Sequence, residues 1–191
     1  MPDPTLDRLL TSHNAAVGVF IAQAERVAPE RWDTPRGPGK WTPAQEVMHV
    51  MLVYEAFTRD LRGGEPMRLV GTRWKRLIWR AVALTAILHL RKIPIAARAP
   101  RESRPPDSPA DRESLIALFR ARAAEFDVIF TSTWRDAPKK RVTHPYFGLL
   151  SLRQALTMME VHSLHHAAFL RQSSAMSGAA SADGAALVAS N

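Results

Sequence analysis

Thr42-Pro43-Ala44-Gln45-Glu46-Val47-Met48-His49-Val50-Met51-Leu52-Val53-Tyr54-Glu55-Ala56-Phe57 is the stretch whose reading decides the fold. Thr42 and Gln45 have the spacing of a capping box, in which each side chain satisfies the other residue's free backbone N–H. Pro43 falls at the first helical position, where a missing N–H costs nothing. Beyond the cap, Val47, Met48, Val50, Met51, Leu52, Val53, Ala56 and Phe57 are apolar on nearly every side of the helix. Such a helix is stable only with neighbours all round it. Gly63-Gly64 ends it. The reading is a buried helix inside a bundle.

Three other segments supply the neighbours. The first opens at Asp3-Pro4, and its stripe of Leu6, Leu9, Leu10, Val17, Phe20, Ile21, Ala24 and Val27 follows helical spacing. Pro29 and the Pro/Gly-rich Thr34–Gly39 close it with a loop. A third helix opens at Ser108-Pro109-Ala110-Asp111 and is expected to bury Leu115, Leu118, Phe119, Phe126, Ile129 and Phe130. The fourth opens with a second capping box, Ser151-Leu152-Arg153-Gln154, and is expected to run to about Gln172. No segment alternates with period two over a useful length. The class is therefore all-α: a four-helix bundle over residues 1–172, with residues 65–107 as a long basic insertion between the second and third helices. The Ala/Ser/Gly-rich residues 173–191 read as a disordered tail.

Composition removes several chemistries. Cysteine is absent, which excludes disulfides, thiolate metal sites and thiol nucleophiles supplied by the chain itself. The opening Met1-Pro2-Asp3-Pro4 is not expected to be a signal peptide, and the longest uncharged apolar run, Ala81–Leu90, is too short to span a bilayer. The expected location is cytoplasmic. The net charge of +8 is local: residues 68–104 hold ten Arg/Lys and one Glu, and the remainder sixteen Arg/Lys and seventeen Asp/Glu. With no recognition motif beside it, the patch is not read as a nucleic-acid site. An anionic small-molecule substrate is the expected partner.

Chemistry concentrates in the histidines. His162 and His166 are four residues apart on the fourth helix and project from one face, in the same stripe as Leu152, Ala155, Met159, Phe169 and Leu170. Two imidazoles at that spacing can hold one metal ion. His49, set in the most apolar helix, is the natural third ligand. Three neutral imidazoles leave one coordination position open, the layout of a catalytic rather than a structural site. Zinc, nickel or another late divalent ion would suit them. A di-iron carboxylate site is the competing reading of Glu46-x-x-His49, but Met159 stands where the second Glu-x-x-His would need its acid. Glu46 has the position to orient a ligand imidazole, and His165 could replace His166 at spacing three. His144 and Tyr146 open an aromatic loop before the ligand helix and are candidates for contacting substrate. His13 reads as structural, and His89 as solvated or packed within the insertion.

Inside residues 65–107, Trp74, Leu77, Ile78, Ala81, Leu84, Thr85 and Leu88 keep helical spacing. The expectation is that Trp74, Leu77, Ile78, Ala81 and Leu84 bury one face while Arg73, Arg76 and Arg80 stay solvated. A basic amphipathic helix lying on anionic membrane is the rival reading of residues 72–92; packing is preferred, and no membrane partner is expected.

Taken together, Trp41-Thr42-Pro43-Ala44-Gln45-Glu46-Val47-Met48-His49, His144-Pro145-Tyr146-Phe147-Gly148 and Glu160-Val161-His162-Ser163-Leu164-His165-His166 resemble the DinB-like superfamily of bacterial metalloproteins over roughly residues 5–172. The resemblance implies an up-down-down-up bundle, a divalent metal on the positions of His49, His162 and His166, and a homodimer. It also implies a metal-dependent hydrolase, or a transferase using a low-molecular-weight thiol such as mycothiol, bacillithiol or glutathione. The alternative is a non-catalytic bundle that binds a metal, a ligand or a partner protein.

Overall fold

A computed structural model describes residues 3–93, 98–107 and 111–188. Its elements are α1 (Pro4–Arg26), α2 (Pro43–Leu61), α3 (Arg73–Trp79), α4 (Thr85–Leu90), α5 (Arg112–Asp136), β1 (Arg141–His144), β2 (Gly148–Ser151) and α6 (Leu152–Val188). The long helices form the bundle, with α1 packed on α6 and α5, and α2 packed on α5 and α6. No described helix is long and apolar enough to cross a membrane.

The start signals act as the sequence suggests. Asp3 accepts from the amides of Thr5 and Leu6, and the Thr42–Gln45 box is closed in both directions at 3.1 Å. Ser151 and Gln154 cap α6 in the same reciprocal way. The expected start of α5 at Ser108-Pro109-Ala110 lies outside the described residues; Asp111 caps that helix by accepting from Glu113 and Ser114.

The core runs down the centre of the bundle. Phe20, Tyr54, Phe119, Phe126 and Phe130 are almost wholly buried, and Tyr54 meets Phe119 and Phe126 edge to face. His13 is structural: its Nε2 lies 2.8 Å from the Tyr54 hydroxyl, which lies 3.1 Å from Ser163 Oγ. Its Nδ1 is 3.2 Å from Asp127. This chain of polar groups crosses α1, α2, α5 and α6, and burial raises the Tyr54 pKa, so the phenol remains neutral.

Five expectations need correcting. The chain is not purely helical, because His144-Pro145-Tyr146-Phe147-Gly148 makes the turn of an antiparallel hairpin pairing Arg141 with Ser151 and His144 with Gly148. The strands are only four residues long, too short for alternation to register, and Gly148 takes the positive φ of 68° that the turn requires. Helix α6 continues to Val188 instead of ending near Gln172; its extension is alanine-rich, and alanine has the highest intrinsic helix propensity. The last three residues of the expected tail lie outside the described residues. Leu118 is exposed, and Ile116 and Ala123 take its place in the core.

The fourth correction concerns the stripe of residues 73–90. Trp74 (75% exposed), Leu77 (55%), Ile78 (62%) and Val82 (67%) face solvent, while Ala83, Leu84 and Ile87 are buried. A π turn at Arg80–Leu84 separates α3 from α4. An i→i+5 turn holds more residues than an α turn, so it rephases whatever follows it, and one stripe becomes two faces. Fifth, Arg80 is not solvated: its guanidinium donates to Phe147 O (3.1 Å), Leu149 O (2.7 Å) and Gln154 (3.4 Å), fastening the crossover to the hairpin.

Candidate metal centre

His49 arrives from α2, and His162 and His166 from successive turns of α6, which packs against it. One nitrogen from each lies within 4.8 Å of the others. His49 Nε2 and His162 Nε2 are 3.2 Å apart. Two nitrogens each about 2.05 Å from a tetrahedral zinc ion sit about 3.3 Å apart, so the spacing is that of ligands sharing one ion.

The second ring nitrogens fix the orientation of two of the three. His49 Nδ1 donates to the carbonyl oxygen of Ser103 at 2.6 Å. A carbonyl only accepts, so the His49 proton is on Nδ1 and Nε2 presents a lone pair toward His162. His166 Nδ1 is 2.6 Å from Glu46 Oε2, which leaves its Nε2 for the centre. Glu46 is itself held by Arg36 at 2.9 Å, and the Arg36 guanidinium lies 4.0 Å above the Phe169 ring. His162 Nδ1 is buried with no hydrogen-bond partner among the described residues. With a lone pair on His49 Nε2, the 3.2 Å contact is either a hydrogen bond donated by His162 Nε2 or, with the His162 proton on Nδ1, two lone pairs that a cation between them would satisfy. The donor set fits a divalent ion.

Electrostatics agree with geometry. Burial holds His49 below the ordinary histidine range; burial, then the neighbouring imidazoles, hold His162 and His166 well below it. All three are neutral near pH 7, the form that ligates. Burial pushes the Glu46 carboxyl up, with Arg36 pulling against it.

The three imidazoles line a cavity of about 360 Å³, within the size range of small-ligand sites. Trp41 covers one side, its ring 4.8 Å from that of His49 and 6.4 Å from that of His166. His144, Tyr146 and Phe147 line the same cavity, with His144 stacked on Phe147 and lowered by burial to about 3. The Tyr146 hydroxyl donates to Arg98 O across the opening. His165 also faces the cavity, edge-on to His166 and Phe169, and does not join the ligand cluster. His89 is exposed on α4, away from the centre.

Four participants escaped the sequence reading. Ser103 acts through its backbone and has no side-chain signature. Arg36 and Trp41 lie in a loop with no periodicity to place them, although a cation ten residues before a buried acid is a weak cue. Phe169 reads as ordinary core.

Comparison with known proteins agrees with this architecture. YfiT from Bacillus subtilis, described as a probable metal-dependent hydrolase with an unusual four-helix bundle topology, superposes with a TM-score of 0.60 at 16% identity, covering 93% of this chain and 90% of that one. At that identity the likeness establishes the fold. No curated protein matches. The sequence pattern of the DinB superfamily matches residues 17–170, from α1 through the last histidine of the cluster, and the chain belongs to that superfamily.

Proposed function

We propose that this protein holds one divalent metal ion on His49, His162 and His166 and is a metal-dependent enzyme acting on a small substrate bound in the adjoining cavity. The observation that carries the reading is the 3.2 Å approach of two imidazole nitrogens, with a third imidazole beside them, on the wall of an open cavity rather than under a sealed core. Such an ion, zinc or nickel for an all-imidazole set, would supply Lewis acidity toward a water or a low-molecular-weight thiol.

The chain's own residues do the rest. Ser103 O and Glu46 hold two rings in the tautomer and direction the ion needs. Trp41, Met158, Met159 and Phe169 line the cavity with apolar surface, which lowers the local dielectric and strengthens every charge interaction inside it. Lys40 and Arg98 stand exposed on the cavity wall, and both favour a substrate carrying a carboxylate or similar anion. His165, half-buried and lowered by burial, is an imidazole on the wall able to take a proton from a bound group. Hydrolysis and thiol transfer share this machinery, and the lack of any cysteine fits a thiol supplied as cosubstrate. The proposal includes the up-down-down-up order, a homodimer and a cytoplasmic location.

The test is elemental analysis of untagged protein, followed by hydrolysis and thiol-transfer screens of the metal-loaded and chelated forms. One ion per chain, lost in His166→Ala, with turnover only in the loaded form, is the expected result. A stoichiometric ion with no turnover across the screens favours the non-catalytic bundle, and absence of metal after reconstitution ends the reading.

A further inference from the structure

We propose that the outer face of residues 73–90 is a docking surface for an anionic lipid bilayer. The argument uses residues separate from the metal centre. Trp74, Leu77, Ile78 and Val82 stand in solvent at helical spacing on one side of α3 and the π turn. The segment is not loose, because its inner side is packed: Ala83, Leu84 and Ile87 are buried, and Arg80 is tied to the hairpin. A rigid helix that buries one face and still presents a tryptophan and three aliphatic side chains on the other has an unfilled apolar contact.

Charge decides what fills it. Residues 68–104 carry a net charge of +9 on a chain whose remainder sums to −1. Among the described residues, Arg73 and Lys75, on either side of Trp74, form no ion pair with an acidic side chain, and neither do Lys92, Arg101 and Arg104 of the same segment. A second copy meeting this face through a two-fold axis would set one +9 segment against another. A nucleic acid would satisfy the cations and leave the aliphatic stripe in water. An anionic bilayer satisfies both: headgroup phosphates take Arg73 and Lys75, while Trp74, Leu77, Ile78 and Val82 enter the boundary between headgroup and acyl chain. Indole suits that boundary, with an apolar ring and one polar N–H. On the inner side, Ala83 and Ile87 line the histidine cavity, so docking would set the cavity roof against the membrane.

The experiment is co-sedimentation of the full-length protein with vesicles of three parts phosphatidylcholine to one part phosphatidylglycerol, and with phosphatidylcholine alone. Binding to the anionic vesicles only, weakened by salt, is expected. Arg73→Gln with Lys75→Gln should lower partitioning about 30-fold, from roughly a fivefold effect per charge near the surface. Trp74→Ser, Leu77→Ser and Ile78→Ser together should abolish it with every cation intact. Circular dichroism confirms that each variant is folded, and Trp74→Ser alone, expected to weaken binding, serves if the triple variant is not. Vesicle binding unchanged by the serine variants overturns the proposal, as does no binding at low salt. It is also overturned by tighter binding to single-stranded RNA than to vesicles, or by a wild-type dimer that the triple change converts to monomer.

Discussion

Residues 43–61 and residues 73–90 carry the same class of signal, apolar side chains recurring at helical spacing, and meet opposite fates. In α2 the apolar residues are surrounded by α5 and α6, and the ionisable residues that enter the core at Glu46, His49 and Asp60 find partners: Glu46 with Arg36 and His166, His49 with Ser103, Asp60 with the Thr143 amide. In the crossover the stripe faces water and its neighbours are cations of one sign. Periodicity shows that a helix has a face; it does not show what covers that face. The company of the apolar residues is the better guide. Buried acids and imidazoles can be satisfied inside a bundle, whereas ten clustered cations cannot be and must stay at a surface.

The comparison is broken most directly by its energetics. Phe126 is fully buried, with its ring 5.3 Å from Tyr54, 5.5 Å from His13 and 5.5 Å from Phe130. Phe126→Ala should cost about 3–5 kcal/mol in chemical denaturation, the lost transfer free energy plus a cavity that α1, α2 and α5 cannot close. A cost under about 1 kcal/mol would mean that the bundle core is as loosely engaged as the crossover stripe.

Glu46→Gln sharpens the same contrast at the centre. The amide oxygen still accepts from His166 Nδ1, but without charge, and the Arg36 ion pair is lost. Metal affinity measured by chelator competition should fall about 10–100-fold, the usual effect of removing a partner behind a ligand imidazole. An unchanged affinity would make Glu46 a packing residue.

What could be read from the sequence follows from these differences. The Thr42 and Ser151 boxes, the Asp3 cap and the His162/His166 pair depend only on spacing along one helix, and His49 is singled out by the apolar company it keeps in α2. The hairpin was missed because its strands are four residues long. The α3 face was missed because the π turn at Arg80–Leu84 breaks the constant advance that a helical stripe assumes. Arg36 and Ser103 reach the site by tertiary contact from loops, for which no spacing rule exists.

Acidification should separate the regions again. His49, His144, His162 and His166 all have folded pKa values held down by burial, to about 3 for His144. Below about 6.5, the ordinary histidine value, the unfolded chain binds protons that the folded chain refuses, so stability falls as pH falls. Glu46, raised by burial, runs the other way: its stabilisation is present at low pH and is lost as pH rises through its folded value. With His165 also lowered by burial, five imidazoles against the Glu46 carboxyl make the net slope acid-destabilising. The Tm of metal-free protein should drop between pH 7.5 and pH 5, and His144→Asn should flatten the drop. A flat profile for the wild type would show that water reaches the imidazoles as freely as it reaches the crossover.

The smallest effect is expected where the sequence suggested a large one. Trp74 is 75% exposed at the start of α3, beside Arg73 and Lys75 and remote from the buried face at Ala83, Leu84 and Ile87. Removing its indole opens no cavity, leaves no polar group unsatisfied, and exchanges one exposed helical residue for a better helix former. Trp74→Ala should therefore change unfolding free energy by less than about 0.5 kcal/mol at a protein concentration low enough to exclude association. Far-UV circular dichroism should keep its amplitude. If the same change costs 2 kcal/mol or more, on the order of a core truncation, the indole is buried in solution. Concentration dependence would then tell how: a cost that grows with dilution-sensitive assembly places Trp74 against a second chain, and a cost independent of concentration places it against the bundle itself. A near-zero cost leaves the stripe as surface held ready by a rigid helix, with its apolar contact supplied from outside the protein.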